Sequence, residues 1–226
     1  MQGIILEIWG DYACFTVPPH NSERMSCDII TPTAAQGILD NIYWHPGLQW
    51  KINRIHVINR IKKTSIKTKE LTKKPSPTIT IEEMEVINEN GEKEKKLYDI
   101  FRTSPVDASK NSTLRNSLIL KDVHYVIEAQ LEGAVQDKDI AIARRRMKKG
   151  QSYYETYLGQ REYPLGFKYL KSRDEIPESY YKGRRKNIGR IPHTIDHEND
   201  ICYFFDATIQ DGAVEVPYLI DRGEAV

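Results

Sequence analysis

Histidine and cysteine are the residue types in this chain that most often bind metals, and their spacing argues against a metal site. The three cysteines, Cys14, Cys27 and Cys202, share no CxxC spacing, which excludes a typical zinc motif or a secreted disulfide framework. Of the six histidines only His193 and His197 are four residues apart, in the stretch IPHTIDHEND, which is typical of a loop. The sequence therefore predicts no metal and no cofactor.

Two runs of basic residues could instead bind phosphate groups. The first lies at 144–149, and the second lies at 180–190 in the sequence YYKGRRKNIGR, where glycines and aromatic residues alternate with the charges. Flexible backbone and aromatic rings suit a nucleic acid, whereas a solvated helix face or loop is the usual alternative for a basic run. The formal net charge is only +1, so the chain as a whole has no field that attracts a polyanion.

Length and composition bound the class of protein. A chain of 226 residues is enough for one large domain, or for one domain with a sizeable appendage. The hydrophobic fraction is 39% and the charged fraction 29%, so much of the surface must be polar. No window is long and apolar enough for a membrane span, and the N-terminal MQGIILEIWG lacks the basic start of a signal peptide. We expect a cytoplasmic protein.

The hydrophobic pattern of the N-terminal half predicts the order strand, helix, strand. Gly3 to Trp9 alternates, with one fully apolar face, as a half-buried strand does. Thr31 or Thr33 can cap a helix that ends before Pro46, since the residue preceding a proline leaves the helical region. Trp50 to Ile61 is rich in branched residues and predicts a second strand.

The second half repeats this order after an insertion. From about 62 to 112, lysines, prolines and the sequence ENGEKEKK predict a protruding hairpin around an Asn90-Gly91 turn. Ser117 to Leu131 gives the strongest strand signal of the chain, and Asp137 to Lys149 predicts a second helix that ends at Gly150. Further strands are expected at Ile201–Ile209 and near Glu215–Ile220.

Two strand–helix–strand halves in succession predict an α+β fold. The predicted architecture is a ferredoxin-like, RRM-type βαββαβ sandwich with a β-hairpin insertion and a short C-terminal β extension. The sandwich would occupy residues 1–155, and residues 156–226 would form the extension with the basic loop and short strands. Such sheets are common among RNA-binding proteins, but a fold alone does not establish a function.

Several blocks of sequence carry a family resemblance through their order and spacing. They are GDYACFTVP, ERMSCDIITPTAAQGILDNIYWHP, TLRNSLILKDVHYVIEAQL and YYETYLGQREYP. On these blocks the chain resembles the CRISPR-associated RAMP proteins of the Cas-five family, subtype I-C. The blocks cover most of the chain except the insertion and the basic tail.

The resemblance implies an endoribonuclease of antiviral defence. Such a protein binds the repeat hairpin of precursor CRISPR RNA, cleaves it at the hairpin base and keeps the 5′ handle within the type I-C Cascade surveillance complex. Cleavage without a metal uses the 2′-hydroxyl of the RNA as nucleophile and leaves a 2′,3′-cyclic phosphate. In other subtypes the related subunit only caps the handle, so the alternative is a non-catalytic scaffold.

The resemblance also implies the partners. They are the precursor and mature CRISPR RNA and the Cascade backbone and large subunits, with target DNA as a further candidate.

The same resemblance implies catalytic roles for Tyr43, Lys121 and His124. Tyr43, at the end of the first helix, would orient or deprotonate the 2′-hydroxyl, Lys121 would stabilise the phosphorane, and His124 would be the general acid or base. Residues 121 and 124 would lie on opposite faces of a regular strand. Three explanations are open: the strand pairing starts after Lys121, a β-bulge lies between the two residues, or one of the two assignments is wrong. His45 and Arg115 are the alternatives.

Each of these three residues has a purely structural alternative. Tyr43 could close the core against Trp44, Lys121 could be a solvated lysine, and His124 could lie on the polar face of its strand.

Basic residues of two blocks and of both basic runs are expected to contact the RNA backbone. They are Arg24, Arg115, Arg144, Arg145, Arg184, Arg185 and Lys186. The run that contains the last three could alternatively meet a neighbouring protein subunit or target DNA.

Overall fold

The computed structural model describes residues 3–17, 24–71, 85–87, 93–95, 112–133, 137–196, 199, 201–221 and 224–225. The chain forms two compact units. One comprises residues 1–66 and 117–226, and the other comprises residues 67–116.

Strands dominate the described part of the chain, as alternating apolar sequence predicts. The longer strands are β1 (Gly3–Ala13), β3 (Leu48–Val57), β4 (Lys63–Leu71), β7 (Ser112–Gly133), β8 (Gly166–Leu170), β9 (Arg185–Asp196) and β10 (Ile201–Gln210). The shorter ones are β2 (Arg24–Met25), β5 (Glu85–Ile87), β6 (Lys93–Lys95), β11 (Ala213–Glu215), β12 (Leu219–Asp221) and β13 (Glu224–Ala225).

The main sheet has the order β8-β1-β7-β3-β11-β10-β9, with β2 and β4 also paired to β7. Each pair of neighbouring strands along this path is antiparallel. In the pairing of β1 with β7, Trp9 lies opposite His124. The fold is therefore α+β with a predominantly antiparallel sheet, as the sequence predicted at this coarser level.

Two helices pack on one face of the sheet. Helix α1 (Pro32–Ile42) begins at Thr31, whose hydroxyl accepts a hydrogen bond from the amide of Ala34 (3.2 Å), and Pro32 occupies the first turn. Helix α2 (Asp137–Lys148) follows β7. Both helices bury apolar side chains in one cluster with alternate residues of β1, β3 and β7, so this face holds the main core.

The predicted N-terminal strands and both helices are confirmed, and the C-terminal predictions need correction. The stretch predicted as a loop at IPHTIDHEND is strand up to Asp196, and Arg185 to Arg190 of the basic run also belong to β9. The strand predicted near Glu215–Ile220 is interrupted between β11 and β12 at Pro217, which has no amide hydrogen to donate. Strand β8 was not predicted.

The second unit contains the segment predicted as an insertion. Within it β5 and β6 pair antiparallel, with Val86 opposite Glu94. The predicted Asn90-Gly91 turn lies outside the described residues. The division of the chain at residue 155 stays a prediction.

Candidate active site and RNA-binding surfaces

Tyr43 is fixed at the junction of the two helices. It is the C-cap residue of α1 with an extended backbone, because Pro46 follows and the helix stops there. Its carbonyl accepts a hydrogen bond from the indole Nε1 of Trp50 (2.9 Å), and its phenol lies buried in the main core. Tyr43 therefore has the structural role of packing at a helix end, as the alternative to catalysis predicted.

The Tyr43 hydroxyl meets a carboxyl group from the other helix. It donates to Oδ1 of Asp139 at 2.8 Å, and the Asp139 side chain is only 1% exposed. Burial, together with the hydrogen bond to Asp139 and its charge, raises the pKa of Tyr43 to about 12, although Arg146 opposes this shift. The phenol thus keeps its proton at neutral pH and acts as a donor, which makes it a poor base for a 2′-hydroxyl.

His45 connects the same carboxyl group to solvent. Its Nε2 lies 3.3 Å from Oδ1 of Asp139, its Nδ1 lies 2.9 Å from the carbonyl oxygen of Pro46, and its side chain is 41% exposed. Both ring nitrogens face oxygen acceptors, so the doubly protonated ring can donate to both. With both nitrogens engaged, the ring can exchange a proton with a ligand only when its contact with the Pro46 carbonyl opens, while Asp139 holds Nε2.

Arg146 completes this group. Its guanidinium donates to the carbonyl of Ile42 (2.8 Å) and lies 5.3 Å from the centre of the Tyr43 ring. The arginine thereby ties the end of α1 to α2 and keeps positive charge beside the Tyr43 ring. We call Tyr43, His45, Asp139 and Arg146 the helix-face centre.

The structure places Lys121 and His124 elsewhere on β7. Lys121 is exposed and its amide donates to the carbonyl of Lys62 (3.0 Å). His124 is half-buried, with Nε2 2.8 Å from Oε1 of Glu7 and its ring edge-on to Trp9. Between them Asp122 has a positive φ of 56°, so the strand is irregular there and strict alternation of faces does not apply.

The structure does not bring Tyr43 together with His124. Trp50, which holds Tyr43, pairs with Leu131, seven residues from His124 along β7. This separation is roughly 23 Å for a rise of ~3.3 Å per residue. Leu131 also faces the main core with Tyr43, whereas His124 shares the opposite face with Val126.

That opposite face carries its own buried carboxylates. Glu128 Oε1 lies 2.7 Å from His56 Nε2, and Glu128 Oε2 accepts hydrogen bonds from Arg173 at 2.6 and 3.0 Å. Burial works against the charge on Glu128, but the bonds from Arg173 and His56 outweigh it and lower the pKa of Glu128. We call Glu7, His56, His124, Glu128 and Arg173 the outer-face network.

The helical periodicity of α2 places the residues of the first basic run on different faces of the helix. Arg144 donates to the carbonyl of Gly3 (2.9 Å) and so anchors the start of β1, whereas Arg145 is exposed. Arg24, in β2, donates to the side chain of Gln160 (3.3 Å). Arg115 is half-buried and lies on the part of β7 that belongs to the second unit.

The second basic run forms a surface together with aromatic rings. The guanidinium groups of Arg184 and Arg60 lie 4.8 and 5.8 Å from the centre of the exposed Tyr180 ring. Lys186 lies 5.7 Å from the ring of Tyr181, whose hydroxyl accepts from the amide of Ile61 (3.0 Å). Arg185 is exposed beside them.

The backbone of Lys121 adjoins this surface, since its amide binds the carbonyl of Lys62, and the Lys62 ammonium is paired with Asp122 at 2.8 Å. We call the set the basic–aromatic surface; its members are Arg60, Lys62, Lys121, Tyr180, Arg184, Arg185 and Lys186. A surface of cations and one exposed ring can bind phosphates and stack a base.

The comparison with protein families decides the relationship. A model of the CRISPR-associated Cas5 proteins matches residues 3–217 of the chain. This chain belongs to the Cas5 family. The family predicted from the sequence blocks is confirmed.

Relatives of this Cas5 chain carry names that describe an activity. A protein of Mannheimia succiniciproducens named CRISPR pre-crRNA endoribonuclease Cas5d is 36% identical, over 95% of this chain and 94% of the relative. A protein of the same name from Thermus thermophilus is 27% identical, over 100% of this chain and 99% of the relative. The name Cas5d agrees with the predicted subtype.

A crystal structure of a CRISPR-associated protein shares the fold of this Cas5 chain. The TM-score is 0.67 over 99% of this chain and 94% of that chain, with 20% sequence identity.

Sequence reasoning missed Asp139 as a member of the helix-face centre. Asp139 was considered only as a candidate residue for the start of the second helix. It lies four residues before Ala143 and eight residues before Met147, and both of these are buried. That spacing was the available signal, because residues four and eight apart share a helix face. A buried aspartate on such a face requires a partner.

Among the residues that the structure describes, no group of three or more histidine, cysteine, aspartate or glutamate side chains is arranged to hold a metal ion. Within those same residues, no helix is long and apolar enough to cross a membrane.

Proposed function

We propose that this Cas5 protein is an endoribonuclease that cleaves precursor CRISPR RNA. The observation that carries the proposal is the 36% identity to the Mannheimia protein named for this activity, which extends over 95% of the chain. The helix-face centre supports it, because a solvent-facing histidine bound to a buried carboxyl group is suited to proton transfer.

In the proposed reaction the 2′-oxygen of the RNA loses its proton and attacks the adjacent phosphorus. The bond from phosphorus to the 5′-oxygen breaks, and that oxygen receives a proton. The products are a 2′,3′-cyclic phosphate and a 5′-hydroxyl. This route needs proton transfer and stabilisation of negative charge but no metal ion, and DNA cannot follow it because it lacks the 2′-hydroxyl.

His45 is the group that we propose for the proton transfer. Tyr43 and Asp139 act through it as positioning residues: Asp139 holds the imidazole, and the Tyr43 hydroxyl holds Asp139. The prediction that Lys121 and His124 take part in the same step is the rival proposal, and it requires the RNA to reach the outer-face network.

The fold proposal extends to the ferredoxin-like topology. Strand β1, helix α1, strands β3 and β7, helix α2 and strand β8 follow the order βαββαβ, and their sheet order is β8-β1-β7-β3 with antiparallel neighbours. This arrangement of two interleaved halves supports a ferredoxin-like unit to which the remaining strands are added.

The partners of the proposed enzyme follow from the same role. The basic–aromatic surface is proposed to bind the backbone of precursor and mature CRISPR RNA, and Arg145 a phosphate near the helix-face centre. Arg24, Arg115 and Arg144 stay proposed RNA contacts, although Arg144 and Arg24 also serve internal hydrogen bonds. Cascade backbone and large subunits, target DNA and a cytoplasmic location complete the proposal.

A non-catalytic scaffold that holds the 5′ handle is the second candidate. The separation of Tyr43 from Lys121 and His124 favours it, because the three predicted catalytic residues do not share one site.

A cleavage assay separates the two functions. The purified chain is incubated in EDTA with the repeat RNA that flanks its own gene, and the 3′ ends of the products are analysed. The enzyme gives one cut with a cyclic phosphate, and a single 2′-deoxy substitution at the cut abolishes it. Tight hairpin binding without a product at any protein excess would establish the scaffold instead.

A further inference from the structure

Three large aromatic side chains next to the helix-face centre are unusually exposed. Trp44 is 54% exposed, Tyr153 71% and Tyr154 64%. Single exposed aromatic residues are ordinary, but Tyr153 and Tyr154 are in ring contact and bind the backbone of Asn41, three residues before Trp44, and exposed aromatic groups of this kind are typical of a binding surface. The rings of Tyr153 and Tyr154 are perpendicular, with centroids 4.7 Å apart, so a planar ligand can lie on the face of one ring and meet the other edge-on.

The backbone beneath these rings is fixed. The amides of Tyr153 and Tyr154 donate to the carbonyl of Asn41 at 2.8 and 3.1 Å, and the Asn41 side chain donates to the carbonyl of Glu155 (3.3 Å). The amide of Gln151 donates to the carbonyl of Arg146 (2.9 Å). Exposed side chains on an anchored segment lose little freedom when a ligand binds, which favours affinity.

The same contacts place the backbone of the two tyrosines at the end of α1, the helix that leads to the proposed proton donor. Asn41 lies two residues before Tyr43, and Trp44 is the neighbour of His45. Arg146, which accepts from Gln151, is itself part of the helix-face centre.

The charge around the rings selects the ligand. Arg145 and Lys149, near the C-terminus of α2, are exposed on the segment that leads into the tyrosines. Aromatic faces next to cations bind single-stranded RNA, whose bases stack while its phosphates pair with the cations. A paired helix cannot use such rings, because its bases are already stacked.

We propose that Tyr153 and Tyr154, together with Trp44, form an aromatic platform that stacks the unpaired nucleobases next to the scissile linkage. The inference rests on the proposed function in one respect, since it takes RNA as the ligand of this end of the molecule. It adds that the site accepts RNA in which the scissile linkage is flanked by unpaired bases.

The test measures stacking without cleavage. Repeat RNA with a 2′-deoxy block at the cut carries 2-aminopurine at one position at a time within three nucleotides of the cut, and its fluorescence is recorded on binding. Tyr153→Leu, Tyr154→Leu and the double variant keep apolar bulk but lose the aromatic face. Tyr218→Leu, at another exposed tyrosine, is the matched control, and thermal melting checks that each variant is folded.

The wild-type chain and Tyr218→Leu should quench 2-aminopurine at one or two positions beside the cut. The double variant should lose this quenching and bind about tenfold or more weakly, since each stacked base contributes to affinity. No position quenched by the wild type, or equal quenching by the double variant, would overturn the platform. Unchanged quenching with lost co-purification of Cascade subunits would assign the rings to a protein interface.

The two proposals fail separately. If the wild type does not cut unblocked RNA but the double variant still loses quenching, the platform stands and the endoribonuclease does not. If the wild type cuts and the double variant keeps both its quenching and its KM, the endoribonuclease stands and the platform does not.

Discussion

Histidine–carboxylate pairs occupy both faces of the sheet in this Cas5 chain, and they differ in what else their carboxyl groups bind. In the helix-face centre Asp139 accepts a hydrogen bond from the Tyr43 hydroxyl and contacts the partly exposed His45 ring. In the outer-face network Glu128 contacts His56, binds Arg173 and lies 3.9 Å from a guanidinium nitrogen of Arg54, so arginine side chains already balance its charge. We propose that the same pair of residue types serves proton transfer in the helix-face centre and stability in the outer-face network.

The strongest test of this contrast compares two histidines. His45→Ala should slow cleavage of repeat RNA about 100-fold or more, because general acid–base catalysis typically contributes that much. His124→Ala should slow it less than tenfold. Both variants should bind the 2′-deoxy-blocked hairpin within a few-fold of the wild type.

Single-turnover rates at saturating protein measure the comparison. The reverse order, with His124→Ala the slower enzyme, would move the chemistry to the outer-face network and restore the rival proposal.

RNA binding tests whether the substrate also reaches the side of the molecule where Lys121 lies. Replacing Arg184, Arg185 and Lys186 together with glutamine should weaken hairpin binding at least about tenfold. The slope of log affinity against log salt should become shallower by about 2, since each lost phosphate contact removes up to ~0.9.

Lys182→Gln is the control in the same stretch, because Lys182 is paired with Glu178 at 3.0 Å and should leave the slope unchanged. An equal slope in the triple variant would remove the basic–aromatic surface from the RNA interface.

Removing one hydroxyl separates positioning from packing. Tyr43→Phe leaves Asp139 buried with one hydrogen bond fewer, so unfolding should cost about 1–2 kcal/mol less and cleavage should slow about tenfold. Tyr125→Phe is the matched control: its buried hydroxyl bonds the backbone of Ile30 on the same face. It should lower stability similarly but leave the cleavage rate unchanged.

Denaturant unfolding and single-turnover cleavage are measured on both variants. Equal cleavage rates for the two would limit Tyr43 to a packing role.

The outer-face network should matter for stability and least for cleavage. Glu128→Gln removes a buried charge bound by Arg173 and His56 and should lower the free energy of unfolding by about 2 kcal/mol at pH 7. The pKa of Glu128 is lowered in the fold, so its contribution is present above the unfolded value of 4.5 and is lost as pH falls through the folded value.

Unfolding at pH 7 and pH 3 checks both parts. The stability difference between the wild type and Glu128→Gln should be smaller at pH 3 than at pH 7, while the cleavage rate of Glu128→Gln at pH 7 stays within twofold of the wild type. A cleavage defect larger than that of His45→Ala would contradict the division of roles.

Local sequence patterns predicted much of the fold. Alternation in β1 and β7, a threonine cap of α1 (Thr31 of the two candidates) and the end of α2 just before Gly150 all appear in the structure where the sequence placed them. The C-terminal strands were harder, because polar and glycine-rich stretches such as β9 become strands only when a partner like β10 supplies the hydrogen bonds.

By itself the sequence determined the family, the helices that carry the candidate residues and the position of Tyr43 at a helix end. Only the tertiary structure decided that Tyr43 lies with Asp139 rather than with His124. Those contacts join residues 96 positions apart, and no local periodicity encodes which distant side chains meet. The packing of two helices on one face of the sheet sets both that meeting and the separation from the other face.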